Sequence, residues 1–323
     1  MSKFYVLAND GISSAGAQAI LQSCHFDLDL NSIPQAELAA YIQEKKVAVL
    51  LVRSATKVRK DLIDACPSLQ VIVRGGVGVD NIDVEYAKSK GLTVYNTPAS
   101  SSQSVAELTF GMMFSMARGL YDADRNMPIS GASEFNALKK KYGKGTELRG
   151  KTLGIVGLGR IGRSLAQYAL GSGMQVLAYD PFATEPRVSL AIGGQNITVE
   201  VEKFDSLAEL LPHCHYVSLH VPKQPDGSAV LGTKELAMLP KGAMVVNCAR
   251  GGVIDEDALL DALNSGHLSA AALDVFENEP TPREDLLQHP KLITTPHVGA
   301  ATQEAQDRIG EEIASILNQH FGS

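Results

Sequence analysis

Residues 152–180 read TLGIVGLGRIGRSLAQYALGSGMQVLAYD, and this stretch decides the fold. The run Thr152–Val156 is apolar throughout, as in a strand buried on both faces. It breaks at Gly157-Leu158-Gly159-Arg160-Ile161-Gly162, and helical spacing follows over Ile161–Leu170. A second apolar run, Gln175–Tyr179, ends in Asp180, 18 residues beyond Gly162. A lone G-x-G-x-x-G says little, but between a strand and a helix, with an acid closing the next strand, it is a dinucleotide fingerprint. Gly157 permits the tight turn, Gly159 lets a pyrophosphate approach the backbone, and Gly162 lets helix and strand pack closely. Arg160 and Ile161 open the helix, whose first N–H groups face the phosphates. Asp180 is placed to accept from ribose hydroxyls. A 2′-phosphate would be repelled there, and Pro181 and Phe182 follow where an Arg would be needed. The expected cofactor is therefore NAD rather than NADP.

Outward from this unit, strands fit Tyr216–His220, Ala243–Asn247, Ala270–Val275 and Leu292–Thr295, with helices over Leu207–Leu211, Lys234–Met238, Glu256–Asn264 and Thr302–His320. In open α/β sheets ligands bind beyond the carboxyl ends of the strands. Three such ends carry Arg250, Glu279 and His297, on the edge that carries the glycine turn. Oxidising an alcohol by hydride transfer needs a base for the hydroxyl proton, a cation to orient the oxygens, and a group that fixes the base. His, Arg and a carboxylate suit these tasks in turn. Taken singly, His297 reads equally as a turn histidine and Arg250 as a surface arginine, while Glu279, in the acidic turn ENEP, reads better as a solvated carboxylate. Their joint placement favours a site.

The N-terminal third repeats the alternation: strands at Phe4–Ala8, Val47–Val52, Gln70–Val73 and Leu92–Tyr95, helices at Ala15–Ser23, Gln35–Lys45, Lys60–Ala65 and Val84–Lys90. This is an α/β chain with parallel sheets. Ser101–Arg118 reads as a well-buried helix with no complete polar stripe, Tyr121–Arg149 as a surface connection, and Val199–Phe204 as one extra strand. At roughly 150 residues per domain, 323 residues give two domains. The net charge of −7 argues against a general nucleic-acid binder. Apolar runs such as Val47–Val52 are too short for a membrane span, and Phe4–Ala8 is too short for a signal-peptide core. Cys24, Cys66, Cys214 and Cys248 are widely spaced, so neither a structural metal nor a disulfide framework is expected. A cytoplasmic protein is expected.

The motifs Gly157–Gly162 with Asp180, NCARGGVIDEDAL at Asn247–Leu259, AALDVFENEP at Ala271–Pro280 and TPHVGAAT at Thr295–Thr302 resemble the D-isomer-specific 2-hydroxyacid dehydrogenases over almost the whole chain. The resemblance implies Arg250, Glu279 and His297 in the roles above. It also implies Asp274 near the nicotinamide carboxamide, Cys248 and Ala249 lining the nicotinamide pocket, and His220, Val221 and Gly299 in the cofactor site. LLVRSATKV at Leu50–Val58, VRGGVGVDNID at Val73–Asp83 and VYNTP at Val94–Pro98 resemble the branch of that family that oxidises 3-phosphoglycerate. For that branch Gly75, Gly76, Val77 and Gly78 present N–H groups to the substrate carboxylate beside Asn96. Arg53 and Ser54 meet the phosphate, with Lys57 a weaker candidate, and Lys139–Lys141 reads either as a solvated face or as a reach into a neighbouring subunit. Val77 and Val221 stand where hydroxyl-bearing Thr is usual.

The resemblance further implies a Rossmann cofactor domain, residues 100–296, inserted in a discontinuous flavodoxin-like substrate domain, residues 1–99 plus 297–323, and a homodimer formed through Ser101–Arg118. No room is expected for the serine-sensing domain of longer relatives. Open alternatives are a glyoxylate, hydroxypyruvate or lactate reductase and, from another class, an NAD-sensing corepressor of the same fold. A formate dehydrogenase is disfavoured because those relatives lack the Glu.

Overall fold

The computed structural model describes residues 3–322. They form two compact units: the chain up to Ser102 together with the segment from Ala300, and Gln103–Gly299.

The first unit has β1 (Phe4–Ala8), β2 (Phe26–Asp29), β3 (Val49–Val52), β4 (Val71–Arg74) and β5 (Thr93–Asn96), with α1 (Ser14–Gln22), α2 (Leu38–Lys45), α3 (Lys60–Ala65) and α4 (Val84–Ser89) between them. The strands are all parallel, in the order β2-β1-β3-β4-β5, the flavodoxin-like order. The run VLLV in β3 shows why such strands need not alternate in polarity. Leu50 and Val52 join a core with Leu38, Ile42, Leu62 and Ile63, while Val49 and Leu51 join one on the other face with Ile20, Ile309, Ile313 and Leu317. The last three belong to the C-terminal helix, Gln303–Phe321. Fully burying each such side chain is worth about 1.5–3 kcal/mol, which explains why the end of the chain returns to the unit it began.

The second unit runs α5 (Ser102–Arg118), α6 (Leu120–Ser130), α7 (Phe135–Tyr142), β6 (Thr152–Val156), α8 (Arg160–Gly171), β7 (Gln175–Tyr179), β8 (Arg187–Ile192), β9 (Gln195–Glu200), β10 (Glu202–Phe204), α9 (Leu207–Leu210), β11 (Tyr216–Leu219), α10 (Thr233–Met238), β12 (Ala243–Asn247), α11 (Glu256–Asn264), β13 (Leu268–Leu273), α12 (Glu284–Leu287) and β14 (Leu292–Thr294). Its parallel sheet is ordered β10-β7-β6-β11-β12-β13-β14. The strand order reverses beside β6, so the glycine turn after β6 lies at a topological switch point. Among the described residues no helix is long and apolar enough to cross a membrane.

Three readings are corrected. Tyr121–Arg149 is not a plain surface connection but carries α6 and α7. Pro128 and Gly131 read as breakers, yet Pro128 sits inside α6, and the pair of helices is tied by Asp122 to Lys141 at 2.6 Å and to Tyr142 at 2.8 Å. The lysine run is thus partly engaged within its own unit. Val199–Phe204 is two strands: its start closes the antiparallel β8–β9 hairpin, and its end forms β10 beside β7. The short edge strand β2 and helix α12 had no clear signal. Finally, α5 does have an exposed line, Gln103, Glu107, Gly111, Phe114 and Arg118, at helical spacing.

Candidate active site

Every residue expected at the cofactor and catalytic positions lies in the second unit. The turn after β6 is closed by Gly157 N–H to Tyr179 O at 2.8 Å. Gly157 has φ +97, and a Cβ there would fall 2.7 Å from the His220 carbonyl and 2.8 Å from Val221. A Cβ on Gly162 would fall 2.2 Å from Gly157 O, so helix and turn touch backbone to backbone. At Gly159 a Cβ would meet nothing within 4 Å. No side chain caps α8, whose first turn starts at Arg160 and Ile161. An open glycine before uncapped helix N–H groups fits a pyrophosphate. Asp180 accepts from Leu158 N at 2.8 Å with one oxygen, and from Phe182 N at 2.8 Å and Ala183 N at 3.2 Å with the other. It therefore shapes the turn and keeps lone pairs for a ribose hydroxyl.

His220 and Val221 border the same turn. His220 Nε2 pairs with Ser218 Oγ at 3.0 Å, and its Nδ1 is buried without a hydrogen-bond partner. Burial pushes the imidazole down to about 3, so it is neutral at physiological pH.

The turn after β12 is set by Asn247, a residue the sequence reading passed over although it ends the strand. Its Oδ1 accepts from Ala249 N at 3.0 Å and its Nδ2 donates to Arg250 O at 2.9 Å. The Arg250 guanidinium donates to Ala249 O at 2.6 Å. Cys248 is buried with its Sγ 3.8 Å from Met112 Sδ, and burial pushes its thiol up to about 12.

The remaining two strand ends meet. Glu279 Oε2 lies 2.8 Å from His297 Nδ1, and Oε1 accepts from Phe276 N at 2.9 Å. An ionised carboxylate only accepts, so Nδ1 donates and Nε2 is left with its lone pair. The two side chains are 42% and 35% exposed, so the pair adds little stability, and its value is orientation. A cavity of about 360 Å³ lies beside the pair, walled by Phe276, Pro280, Pro282, Leu287 and Pro296.

His297 has φ +55, a left-handed conformation that costs a non-glycine residue about 1–2 kcal/mol. Asp274 holds it there. This carboxylate, 1% exposed, accepts from Thr295 Oγ1 at 2.5 Å, Val298 N at 2.9 Å and Gly299 N at 2.8 Å. Its described bonds thus go to the His297 turn, a role that no sequence signal marked.

The expected substrate residues lie together in the first unit, at the carboxyl ends of β3, β4 and β5. Asp10 accepts from Arg53 N at 2.6 Å and Thr56 N at 3.1 Å, and Asn81 Nδ2 donates to Arg53 O at 2.9 Å, which fixes the Arg53–Ser54 turn. In the Gly75–Gly78 loop, Gly76 has φ +144, and Asn96 Nδ2 donates to Val77 O at 2.6 Å. Arg74 lies beside Val52 in the sheet register and reaches back over this loop, with Nη1 3.4 Å from Gly75 O. Sequence reasoning missed it, although it ends its strand much as Arg250 follows β12.

Comparison with known proteins gives a consistent picture. The family description "D-isomer specific 2-hydroxyacid dehydrogenase, NAD binding domain" matches residues 110–299. D-3-phosphoglycerate dehydrogenase of Sus scrofa is 45% identical over 287 residues, 89% of this chain and 51% of that protein. The chain thus spans about half the length of such relatives. Hydroxypyruvate reductase of Thermotoga maritima is 39% identical over 325 residues, covering 100% of both chains. Among solved structures, D-mandelate dehydrogenase of Rhodotorula graminis superposes with a TM-score of 0.85 at 25% identity, covering 99% of this chain and 94% of that one.

Proposed function

Because the chain belongs to the D-isomer specific 2-hydroxyacid dehydrogenases, with that family's NAD-binding domain, we propose that it oxidises D-3-phosphoglycerate to 3-phosphohydroxypyruvate. The observation that carries the chemistry is the bond between Glu279 and His297, with Arg250 on a neighbouring strand end. NAD, when bound, accepts the hydride from the substrate's hydroxyl-bearing carbon. His297 Nε2 takes the hydroxyl proton as that carbon is oxidised, while Glu279 keeps the ring in one tautomer and stabilises the imidazolium. Arg250 pairs its fork with the carboxylate and the developing carbonyl oxygen. Gly157, Gly159, Arg160, Ile161 and Gly162 seat the pyrophosphate, and Asp180 takes the ribose hydroxyls and rejects a 2′-phosphate. Asp274 positions the His297 turn, and Cys248, Ala249, His220, Val221 and Gly299 line the cofactor site.

The Gly75–Gly78 loop, shaped by Asn96, offers N–H groups to the substrate carboxylate, and the Arg53–Ser54 turn meets the phosphate with Arg74 nearby. The similarity to phosphoglycerate dehydrogenases supports this substrate. The full-length similarity to a hydroxypyruvate reductase favours an unphosphorylated hydroxyacid as the second reading, and Val77 and Val221, lacking hydroxyls that could touch the cofactor, weaken the phosphoglycerate assignment. NADH formation across 3-phosphoglycerate, glycerate and lactate, with NAD and NADP, decides between them. Arg53→Ala raises KM for phosphoglycerate far more than for glycerate if the phosphate reading holds. The product would enter serine synthesis in the cytoplasm. Exposed Phe114, Met127, Ile129 and Phe135, on α5, α6 and α7, support a homodimer.

A further inference from the structure

Glu256 is a carboxylate that the chemistry above leaves unused. It is the first residue of α11 and is only 4% exposed. The helix does not need it as a cap, because Asp255 already accepts from Ala258 N at 2.9 Å. Burying a carboxylate is costly unless it is hydrogen-bonded, and this one is committed elsewhere. Its Oε1 accepts from Glu277 N at 2.8 Å, while its own N–H faces Glu277 Oε1 at 3.4 Å.

That bond completes a pattern in the loop after β13. Two consecutive backbone N–H groups, Phe276 and Glu277, are each taken by a carboxylate: the first by Glu279 from within the loop, the second by Glu256 from outside it. The next residue of α11, Asp257, binds Arg283 at 2.5 Å, so the helix grips the loop on both sides of Glu279. The turn after Arg250 abuts the same backbone. A Cβ on Gly251 would fall 1.7 Å from Phe276 O and 2.7 Å from Glu277 N. The start of α11 thus supports the Glu279 loop, and the Arg250 turn packs against the backbone of that loop.

We propose that Glu256 is a positioning residue that holds the Glu277 backbone so that Glu279 meets His297 in line with Arg250. This rests on Glu279 and His297 being the catalytic pair, and it adds the group that sets their alignment.

The test reads the ring of His297 directly, in cofactor-free protein, by ¹⁵N NMR at alkaline pH, with His297→Asn identifying the signal. Wild type gives the Nδ1–H tautomer, and Glu279→Ala converts it towards the Nε2–H form. Glu256→Ala and the charge-conserving but shorter Glu256→Asp move the signal the same way. Glu256→Gln, whose amide oxygen still accepts from Glu277 N–H, keeps the wild-type signal. In turnover, Glu256→Ala loses up to about 10²-fold in kcat, the scale of a 1 Å misplacement, with KM for NAD unchanged. The double variant Glu256→Ala/Glu279→Ala is no slower than Glu279→Ala alone. A wild-type tautomer in both Glu256→Ala and Glu256→Asp, or losses that multiply in the double variant, overturns the proposal. An unchanged signal in Glu279→Ala defeats the pairing itself and the proposal with it. Should Glu256→Ala not fold, Glu256→Asp and Glu256→Gln decide the matter.

Discussion

Glu279 Oε2 stands 2.8 Å from His297 Nδ1, and no oxygen of that carboxylate is idle, because Oε1 binds Phe276 N. The imidazole is therefore oriented by a group that is itself oriented. His297→Asn is expected to lower kcat by about 10²–10⁴-fold, the usual worth of a general base, with NAD affinity retained. Stopped-flow NADH formation and a binding titration check it. Wild-type turnover in this variant would refute the assignment of the base.

Arg250→Ala is expected to cost about 10²–10³-fold in kcat, as for other lost donors to a developing oxyanion, again with NAD still binding. Arg250→Lys restores only part of the loss, since an ammonium lacks the planar fork. Equal rates for Lys and Arg would show that charge alone suffices.

Asp180→Ala is expected to narrow the ratio of kcat/KM between NAD and NADP by tenfold or more, about 1.4 kcal/mol of discrimination. The carboxylate also braces Leu158 N and Phe182 N, so NAD itself binds more weakly. An unchanged ratio would mean that discrimination lies elsewhere.

His220 makes a prediction about acid. Burial pushes it down to about 3, below the 6.5 of an exposed histidine. Between those values the unfolded chain binds a proton that the folded one refuses, so stability falls as pH drops from 6.5 towards 3, by at most about 1.4 kcal/mol per pH unit. Above 6.5 the group contributes no pH dependence. In His220→Gln the Tm difference between pH 7.5 and pH 4.5 should shrink. A difference equal to wild type would show that the ring protonates in the folded state.

Cys248 should resist alkylation. With its thiol pushed up to about 12 and its side chain buried, almost no thiolate exists at neutral pH. Peptide mapping after iodoacetamide should find the exposed Cys24 modified and Cys248 intact. Early modification of Cys248 would show that its thiol is open to solvent and ionises more readily than its burial implies.

The legible parts of this molecule were those whose signals are local. The glycine turn, its helix and Asp180 sit within one βαβ unit, and Arg250, Glu279 and His297 each lie in the loop that follows a strand. Positions that depend on distant partners were not legible. Asp10 braces the turn at Arg53 across 43 residues, and Asp274 supports the His297 turn from 24 residues away. Nothing in Asn-Asp or Leu-Asp announces such bonds. The left-handed backbone of His297 is equally silent, because only a small share of histidines adopt it and this one is held there by the distant Asp274. Helices α6 and α7 were lost to the opposite error: Gly131 does end α6, but Pro128 is a genuine breaker carried inside it, in a helix pair tied by the contacts around Asp122.

The return of helix Gln303–Phe321 to the first sheet inverts the order in which the chain can be completed. A ribosome delivers Val6, Ala8, Val49, Leu51, Val71 and Val73 early, but their cover of Ile309, Ile313 and Leu317 only after residues 103–299 have been made. At translation speeds of about 5–20 residues per second, those 197 residues (103 to 299) leave that face covered by Ile20 of α1 but without its C-terminal helix for about 10–40 s. The first unit begun is therefore the last whose core can be completed, while all residues of the second are already made.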